Sequence, residues 1–528
     1  MNNFPDTHAA AVPDRPAYIM ADSGTVVTYR ELVDSARAIA ALLWSRGLRH
    51  GDCVALLMEN SPSFLPIAWA AQRIGLRYVT VSTRLLPEEV AYILGDCGAR
   101  ALFTGARHLE TAAAAVTAVP GLGARFTVDE AGAEFESLAT ALAAVPADQQ
   151  VAECEGVDLL YSSGTTGRPK GVVAELPLHP LGTAPGVAGL LHDQWGIDHD
   201  TVYLSPAPLY HAAPLRFSMT VHRYGGTVVV MERFDPQRAL ELIERHRVTH
   251  TQMVPTMFVR ILKLPAEQRL RYDLSSLRTV IHAAAPCPAD TKRAMIDWLG
   301  PIIHEYYSCT ENCLFTTSST QEWLDHPGSV GRAILGTPHI LDEAGRELPP
   351  GEPGTIWSEG GLLFEYLNDP DKTAASRNDK GWTTVGDLGF LDEDGYLHLS
   401  DRRADLILSG GVNIYPREAE DALAMHPKVT DVAVFGIAHE DLGEAVHAVV
   451  VAAPEAEPGP QLAAELLGYL HGRLAAYKCP RAIDFEPELP RHATGKLYKR
   501  LLRDRYADMM IRHQEHARTT RRAPGGGH

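Results

Sequence analysis

Apolar positions along the first hundred residues fall at two spacings in turn. Over 29–46 they recur every three or four residues, at Leu32, Ala36, Ile39, Ala40 and Leu43, which predicts an amphipathic helix. The short apolar run 53–58 predicts a strand, 62–75 a second helix, 78–81 a strand, 87–95 a helix and 101–104 a strand. Such alternation builds βαβ units around a mostly parallel sheet. The rhythm resumes at 202–205 and continues through 217–224, 227–231, 236–246, 251–253, 255–262 and 278–283. From 345 to 393 Gly, Pro and Asp crowd the sequence, as in a β-rich subdomain. A helical stretch at 416–426, apolar runs at 429–437 and 445–451 and a helical stretch at 462–474 then predict a smaller unit. The pattern is that of an α/β chain: a large N-terminal domain of mostly parallel αβα sheets with a β-rich subdomain, followed by a small α+β C-terminal domain.

Composition narrows the function classes. A chain of 528 residues exceeds one ordinary core and suits a large domain plus a smaller one. The formal net charge of −18 argues against a nucleic-acid partner or an anionic membrane surface. A polyanionic ligand must therefore meet local cations, and Lys170, Arg402 and Lys496 are candidates. Seven cysteines (53, 97, 154, 287, 309, 313 and 479) are odd in number and contain no CxxC pair, so neither a disulfide framework nor a zinc site is expected. Reduced thiols point to a cytoplasmic location. Residues 1–16 lack a basic start and an apolar core, so no secretory signal is expected, and no apolar run is long enough to span a membrane.

The densest chemistry lies at 161–173, Tyr-Ser-Ser-Gly-Thr-Thr-Gly-Arg-Pro-Lys-Gly-Val-Val. Ser163, Gly164, Thr165, Thr166, Gly167 and Lys170 follow the apolar run 157–161, which predicts a strand delivering a loop at its C-terminal end. Glycines let backbone N–H groups turn inward, hydroxyls add donors and the lysine adds charge, the chemistry of a phosphate cradle. The spacing is not that of a Walker A loop. Downstream follow, in order, Pro208-Leu209-Tyr210-His211, Tyr307-Ser308-Cys309-Thr310-Glu311, Val385-Gly386-Asp387-Leu388-Gly389, Asp401-Arg402, Ser409-Gly410-Gly411 and Thr494-Gly495-Lys496.

With these motifs in this order the chain resembles the adenylate-forming superfamily, and within it the fatty-acyl-CoA ligase-like branch, over roughly residues 10 to 505. The resemblance implies that Tyr307 stacks on adenine with Ala285 and Pro286 nearby, that Thr310 lies near the phosphates and that Glu311 holds Mg²⁺. It implies that Asp387 accepts the ribose hydroxyls, that Arg402 meets ribose or phosphate, and that Lys496 reaches the substrate carboxylate and α-phosphate. Gly410 and Gly411 would meet the pantetheine of CoA. Residues 1–400 would then form the adenylating domain, 401–405 a hinge pivoting at Ala404, 406–510 a mobile C-terminal domain and 511–528 a disordered tail. ATP, Mg²⁺ and CoA are the implied cofactors, and the resemblance leaves room for a homodimer.

One strip departs from the family's pattern. Relatives carry glycine within or after the Tyr-to-Glu motif where this chain has Ser308, Cys309, Asn312, Cys313 and Leu314. Together with His211 and Ala283 these residues would line the acid pocket, and their side chains would shorten it. The expected reaction is adenylation of a short, medium or aryl carboxylic acid, with Lys496, Glu311, Thr166 and His211 acting in catalysis, followed by transfer to CoA. The alternative is an ATP-dependent diazotase that adenylates nitrite and passes the nitrosyl equivalent to an aryl amine, without CoA.

Overall fold

The computed structural model describes residues 3–132, 134–162, 169–176, 178–183, 186–285, 287–402, 407–409, 412–439, 442–491, 497, 499 and 501–506. The first long helix, Tyr29–Ser45, shows how local chemistry sets the elements. The Thr28 hydroxyl accepts from the Glu31 N–H, while the Glu31 carboxylate accepts from the Thr28 N–H, so two otherwise orphaned donors are satisfied at its start. Its apolar face (Leu32, Ala36, Ile39, Leu43) is buried, largely against the fully buried helix Phe64–Arg73.

Among the described residues two large sheets carry the N-terminal part. In the first, Ile303–Ser308, Thr279–His282, His250–Met253, Val202–Ser205, Thr227–Val230 and Pro16–Met20 pair in parallel in that order. Antiparallel strands close both edges: Val26–Thr28 on one side, Phe315–Ser318 and Arg332–Leu335 on the other. The second sheet is wholly parallel: Glu136–Ser137, Ala124–Thr127, Ala99–Thr104, Cys53–Leu57, Arg77–Thr80, Val157–Asp158. Its strands are apolar on both faces, as helix-covered parallel strands must be. The β-rich subdomain is an antiparallel sheet of Thr337–Leu341, Gly354–Glu359, Asp387–Leu391 and Leu397–Arg402. A separate C-terminal sheet pairs Gly443–Ala452 with Val429–His439, Ile407–Ser409 and Ala482–Phe485, and the helices Arg417–Ala424 and Pro460–His471 pack on it.

The architecture is the α/β one that the pattern predicts, with two local differences. The helix Pro5–Ala11 and the strand Pro16–Met20 lie in a stretch with no apolar periodicity, yet the strand is part of the first sheet beside Thr227–Val230. The apolar run 157–161 is also not one strand. Val157–Asp158 ends the parallel sheet beside Arg77–Thr80, whereas Leu160–Ser162 turns into an antiparallel hairpin with Lys170–Val173. No helix among the described residues is long and apolar enough to cross a membrane.

Candidate active site

A continuous cleft of about 2750 Å³ runs past the C-terminal ends of the parallel strands and on between the large and small units. The small unit touches its lower wall directly: Lys263 Nζ donates to the Val429 carbonyl, and Arg417 Nη1 donates to the Leu399 carbonyl at 3.4 Å.

At one end of the cleft the strand Ile303–Ser308 presents Tyr307 and the strand Asp387–Leu391 presents Asp387. The Tyr307 hydroxyl donates to Asp387 Oδ2 at 2.8 Å. Burial, and then the Asp387 charge, push the Tyr307 phenol well above its ordinary range, so it stays a donor at neutral pH. Four residues on from Tyr307, Glu311 is buried and its Oε1 accepts from the Tyr366 hydroxyl at 2.9 Å. Lys170 Nζ lies 5.5 Å from the centre of the Tyr366 ring. Its ammonium is held below the ordinary lysine range by burial and then by Lys372, which starts from the helix Pro370–Ala375. Two neighbouring cations beside a buried carboxylate are a poor arrangement for an empty protein and a good one for a polyphosphate, and Asp387 is the donor-accepting group that a ribose diol needs.

The strip that departs from the family pattern forms the turn between Ile303–Ser308 and Phe315–Ser318. Asn312 N–H closes it onto the Cys309 carbonyl at 3.1 Å, and Asn312 takes the left-handed conformation at φ +52°. Glycine suits that conformation best and asparagine is among the few other residues that tolerate it, which accounts for the replacement. The turn is clamped from outside by Ser358, whose hydroxyl donates to the Cys313 carbonyl at 2.6 Å, and by Gly361, where a Cβ would stand 1.7 Å from that same oxygen. Ser308, Cys309, Thr310, Glu311 and Asn312 line the cleft. Cys313 and Leu314 do not, because the turn reverses the chain: Cys313 packs with Val172, Phe364 and Tyr366, and Leu314 with Val330, Ile340 and Ile356. Cys309 Sγ and Cys313 Sγ are nevertheless 3.5 Å apart. Their mutual hydrogen bond, and then burial, hold the Cys309 thiol well above its ordinary range. On the adenine side expected from the sequence, Ala283 is buried behind the cleft while Ala284 and Ala285 line it, and Ala284 is left-handed at φ +73°.

Elsewhere along the cleft, His211 precedes the helix Ala212–Arg223 and lines the cleft with its ring against Tyr210. The same helix brings Arg216 into the wall, a residue that sequence reasoning missed. Arg216 Nε donates to Asp158 Oδ2 at 2.7 Å and Nη1 to Asn312 Oδ1 at 3.3 Å. The rings of Phe217, Tyr306 and Phe315 complete that wall, Tyr306 stacked on Phe315 at 4.9 Å. Lone charge inside the apolar run Pro-Leu-Arg-Phe was the signal available for Arg216. Tyr366, on the strand Glu365–Tyr366, and Lys372, on the helix Pro370–Ala375, offered none, since the sequence around them is of ordinary composition.

Ser163, Gly164, Thr165, Thr166, Gly167, Pro286, Ala404, Gly410, Gly411 and Lys496 lie outside the described residues, as does the side chain of Arg402. Ser162 and Lys170, the described residues on either side of 163–168, pair across the hairpin, and Lys170 lines the cleft together with Glu311.

Residues 5–366 match the AMP-binding enzyme family, and residues 418–496 match the AMP-binding enzyme C-terminal domain. The chain is 33% identical over 510 residues to the long-chain-fatty-acid–CoA ligase FadD13 of Mycobacterium tuberculosis, covering 94% of this chain and 97% of that one. It is 35% identical over 490 residues to a feruloyl-CoA synthase of an Amycolatopsis species, covering 92% and 94%. The crystal structure of ATP-bound MatB from Rhodopseudomonas palustris superposes with a TM-score of 0.78 at 32% identity, over 96% of this chain and 100% of that one. The chain therefore belongs to the adenylate-forming AMP-binding enzymes. It is an ATP-dependent, AMP-forming ligase.

Proposed function

We propose that this enzyme adenylates a short, medium or aryl carboxylic acid and transfers it to CoA. The observation that carries the reading is one wall of the cleft, where Arg216, 20% exposed and paired with Asp158 behind it, lies among the rings of Phe217, Tyr306 and Phe315. A long alkyl tail laid against that pair would strip water from its charges and return no hydrogen bond. The resemblance to an enzyme named for ferulate supports an aryl acid, and the wall is what argues against the long-chain acid for which another relative is named.

In the first half-reaction the substrate carboxylate attacks the α-phosphorus of ATP, forming the acyl–phosphate bond and releasing pyrophosphate. Tyr307 and Asp387 hold the nucleoside. Lys170 and Lys372, with the 163–168 loop, hold the phosphates, and Lys496 steadies the attacking carboxylate and the charge on the five-coordinate phosphorus. Mg²⁺ held on Glu311 would supply further neutralisation of phosphate charge. In the second half-reaction the C-terminal domain, 406–510, turns about 401–405 and the CoA thiolate displaces AMP from the acyl carbon.

A second reading is favoured by the same polar wall. Nitrite as the acid would leave the pocket to an aryl amine with polar substituents; the amine nitrogen attacks the nitrosyl nitrogen, AMP leaves, and loss of water gives the diazo group. Pyrophosphate release measured with alkyl acids of graded length, aryl acids, and nitrite plus an aminoaryl acid, each with and without CoA, separates the readings. Thioester formed from an aryl or short acid supports the first. Release with nitrite that is indifferent to CoA supports the second, and best turnover with long alkyl acids would sink the argument from the wall.

A further inference from the structure

Arg216 stands out among the charged side chains of the cleft because nothing in nucleotide binding uses it. It lies on the buried helix Ala212–Arg223, and its side chain is 20% exposed and lines the cleft. Asp158 is 12% exposed and takes Nε from behind, at the edge of the parallel sheet and off the cleft surface. Asn312, fixed by its left-handed turn, takes Nη1 from the side. Nη2 has no partner among the described residues. A guanidinium is a planar fork of five N–H donors; here one edge is tied down and the rest is presented to the cavity.

We propose that Arg216 is a specificity-determining subsite that takes an oxygen acceptor, either a hydroxyl or a second carboxylate, at the end of the substrate acid remote from its reacting carboxylate. The proposal rests on the reading above that an acid is adenylated here. Asp158 is a positioning residue: its charge keeps the guanidinium in place and charged, and the two groups cancel, so the pocket carries no net charge that would demand a dianion. What the pocket lacks is an acceptor for the outward N–H groups, and leaving such donors unmet under a bound ligand is costly. A planar body suits the cleft, whose lining includes the rings of Phe217, Tyr306 and Phe315 together with Arg216. A site built to bond a hydroxyl rejects the analogue without it far more sharply than an apolar pocket rejects a missing methylene.

The test uses the full-length enzyme and pyrophosphate release, with benzoate, 4-hydroxybenzoate, terephthalate and octanoate as probes. The expected result is kcat/KM at least tenfold higher for 4-hydroxybenzoate or terephthalate than for benzoate and octanoate, the better of the first two telling hydroxyl from second carboxylate. In the double variant Arg216→Met with Asp158→Asn, which leaves no unpaired buried charge, the substituted-to-unsubstituted ratio falls to near one. Arg216→Lys, retaining a donor, restores part of the ratio. Equal use of benzoate and 4-hydroxybenzoate by the unaltered enzyme, or a ratio that survives the double variant, overturns the subsite alone. Silence with every acid, while nitrite plus an aryl amine releases pyrophosphate, overturns the acid-ligase reading on which it stands.

Discussion

Two neighbouring regions of the cleft, called here its nucleotide end and its acid end after the proposed reading, are built on opposite electrostatic plans. At the nucleotide end like charges are brought together, Lys170 beside Lys372, and carboxylates are held by tyrosine hydroxyls rather than by cations. At the acid end opposite charges are already paired, Arg216 with Asp158, among aromatic rings. The first arrangement is incomplete without a polyanion and so is organised for binding one; the second is internally neutral and so can only select, by shape and by hydrogen bonds. On the proposed reading, catalytic power and substrate choice sit in different parts of one cavity.

The sharpest way to break this division is Glu311→Gln. The amide keeps the bond from Tyr366 but loses the negative charge, and pyrophosphate release is expected to fall by roughly 100-fold or more with every acid alike, as for loss of one transition-state contact. A fall that differs between acids would mean that the two ends are not separable.

The next effect is on stability and belongs to the acid end. Arg216→Met alone strands the Asp158 carboxylate in a site 12% exposed, and about 3 kcal/mol of stability should be lost. Adding Asp158→Asn should return most of it. Urea unfolding of the two variants reads the difference; equal loss in both would show that packing, not charge, holds this wall.

Lys372→Met tests the crowding of cations. Burial, and after it Lys372, lowers the Lys170 pKa, so the charge that Lys170 offers to phosphate is complete below that pKa and is lost as pH rises through it. Removing Lys372 moves Lys170 back up. KM for ATP is expected to rise about three- to tenfold near neutral pH, since one of two cations is gone, while its further rise at alkaline pH shifts to higher pH. An unchanged alkaline limb would show that the two lysines do not sense each other.

How much of this was legible in the sequence follows the same division. The strand and helix rhythm was readable because burial imposes periods of two and 3.6, and Tyr307, Glu311 and Asp387, expected to meet the nucleotide, could be singled out because they sit in ordered motifs. The acid end was not. Its wall is assembled from Asp158 on one sheet, Arg216 on a helix and Asn312 on a turn, 58 and 96 residues apart, and no local spacing announces such a meeting. The strip 308–314 was read as one wall, but a tight turn sends Cys313 and Leu314 into other clusters, and side-chain direction in a turn cannot be taken from residue order. The run 157–161 was read as one strand for a related reason: apolar character does not say which of two sheets a residue joins.

The smallest expected effect contrasts one left-handed residue from each end. Ala284, beside the nucleotide end, pays a steric cost at φ +73° that no hydrogen bond of its short side chain repays, so Ala284→Gly should stabilise by about 0.5–1 kcal/mol after allowing for the chain entropy that glycine adds. Asn312 at φ +52° is already a tolerated residue there and its side chain is used twice, accepting from Arg216 and donating to the Thr310 carbonyl at 3.2 Å. Asn312→Gly should therefore gain nothing from the backbone and lose about 1 kcal/mol from the side chain, with a drop in preference for substituted over plain aryl acids. Urea midpoints give the two signs and the acid ratio gives the third. Opposite signs of stability with an acid ratio altered only at 312 would place substrate choice on the turn; the same sign at both positions would reduce Asn312 to a backbone requirement and leave Arg216 to select by itself.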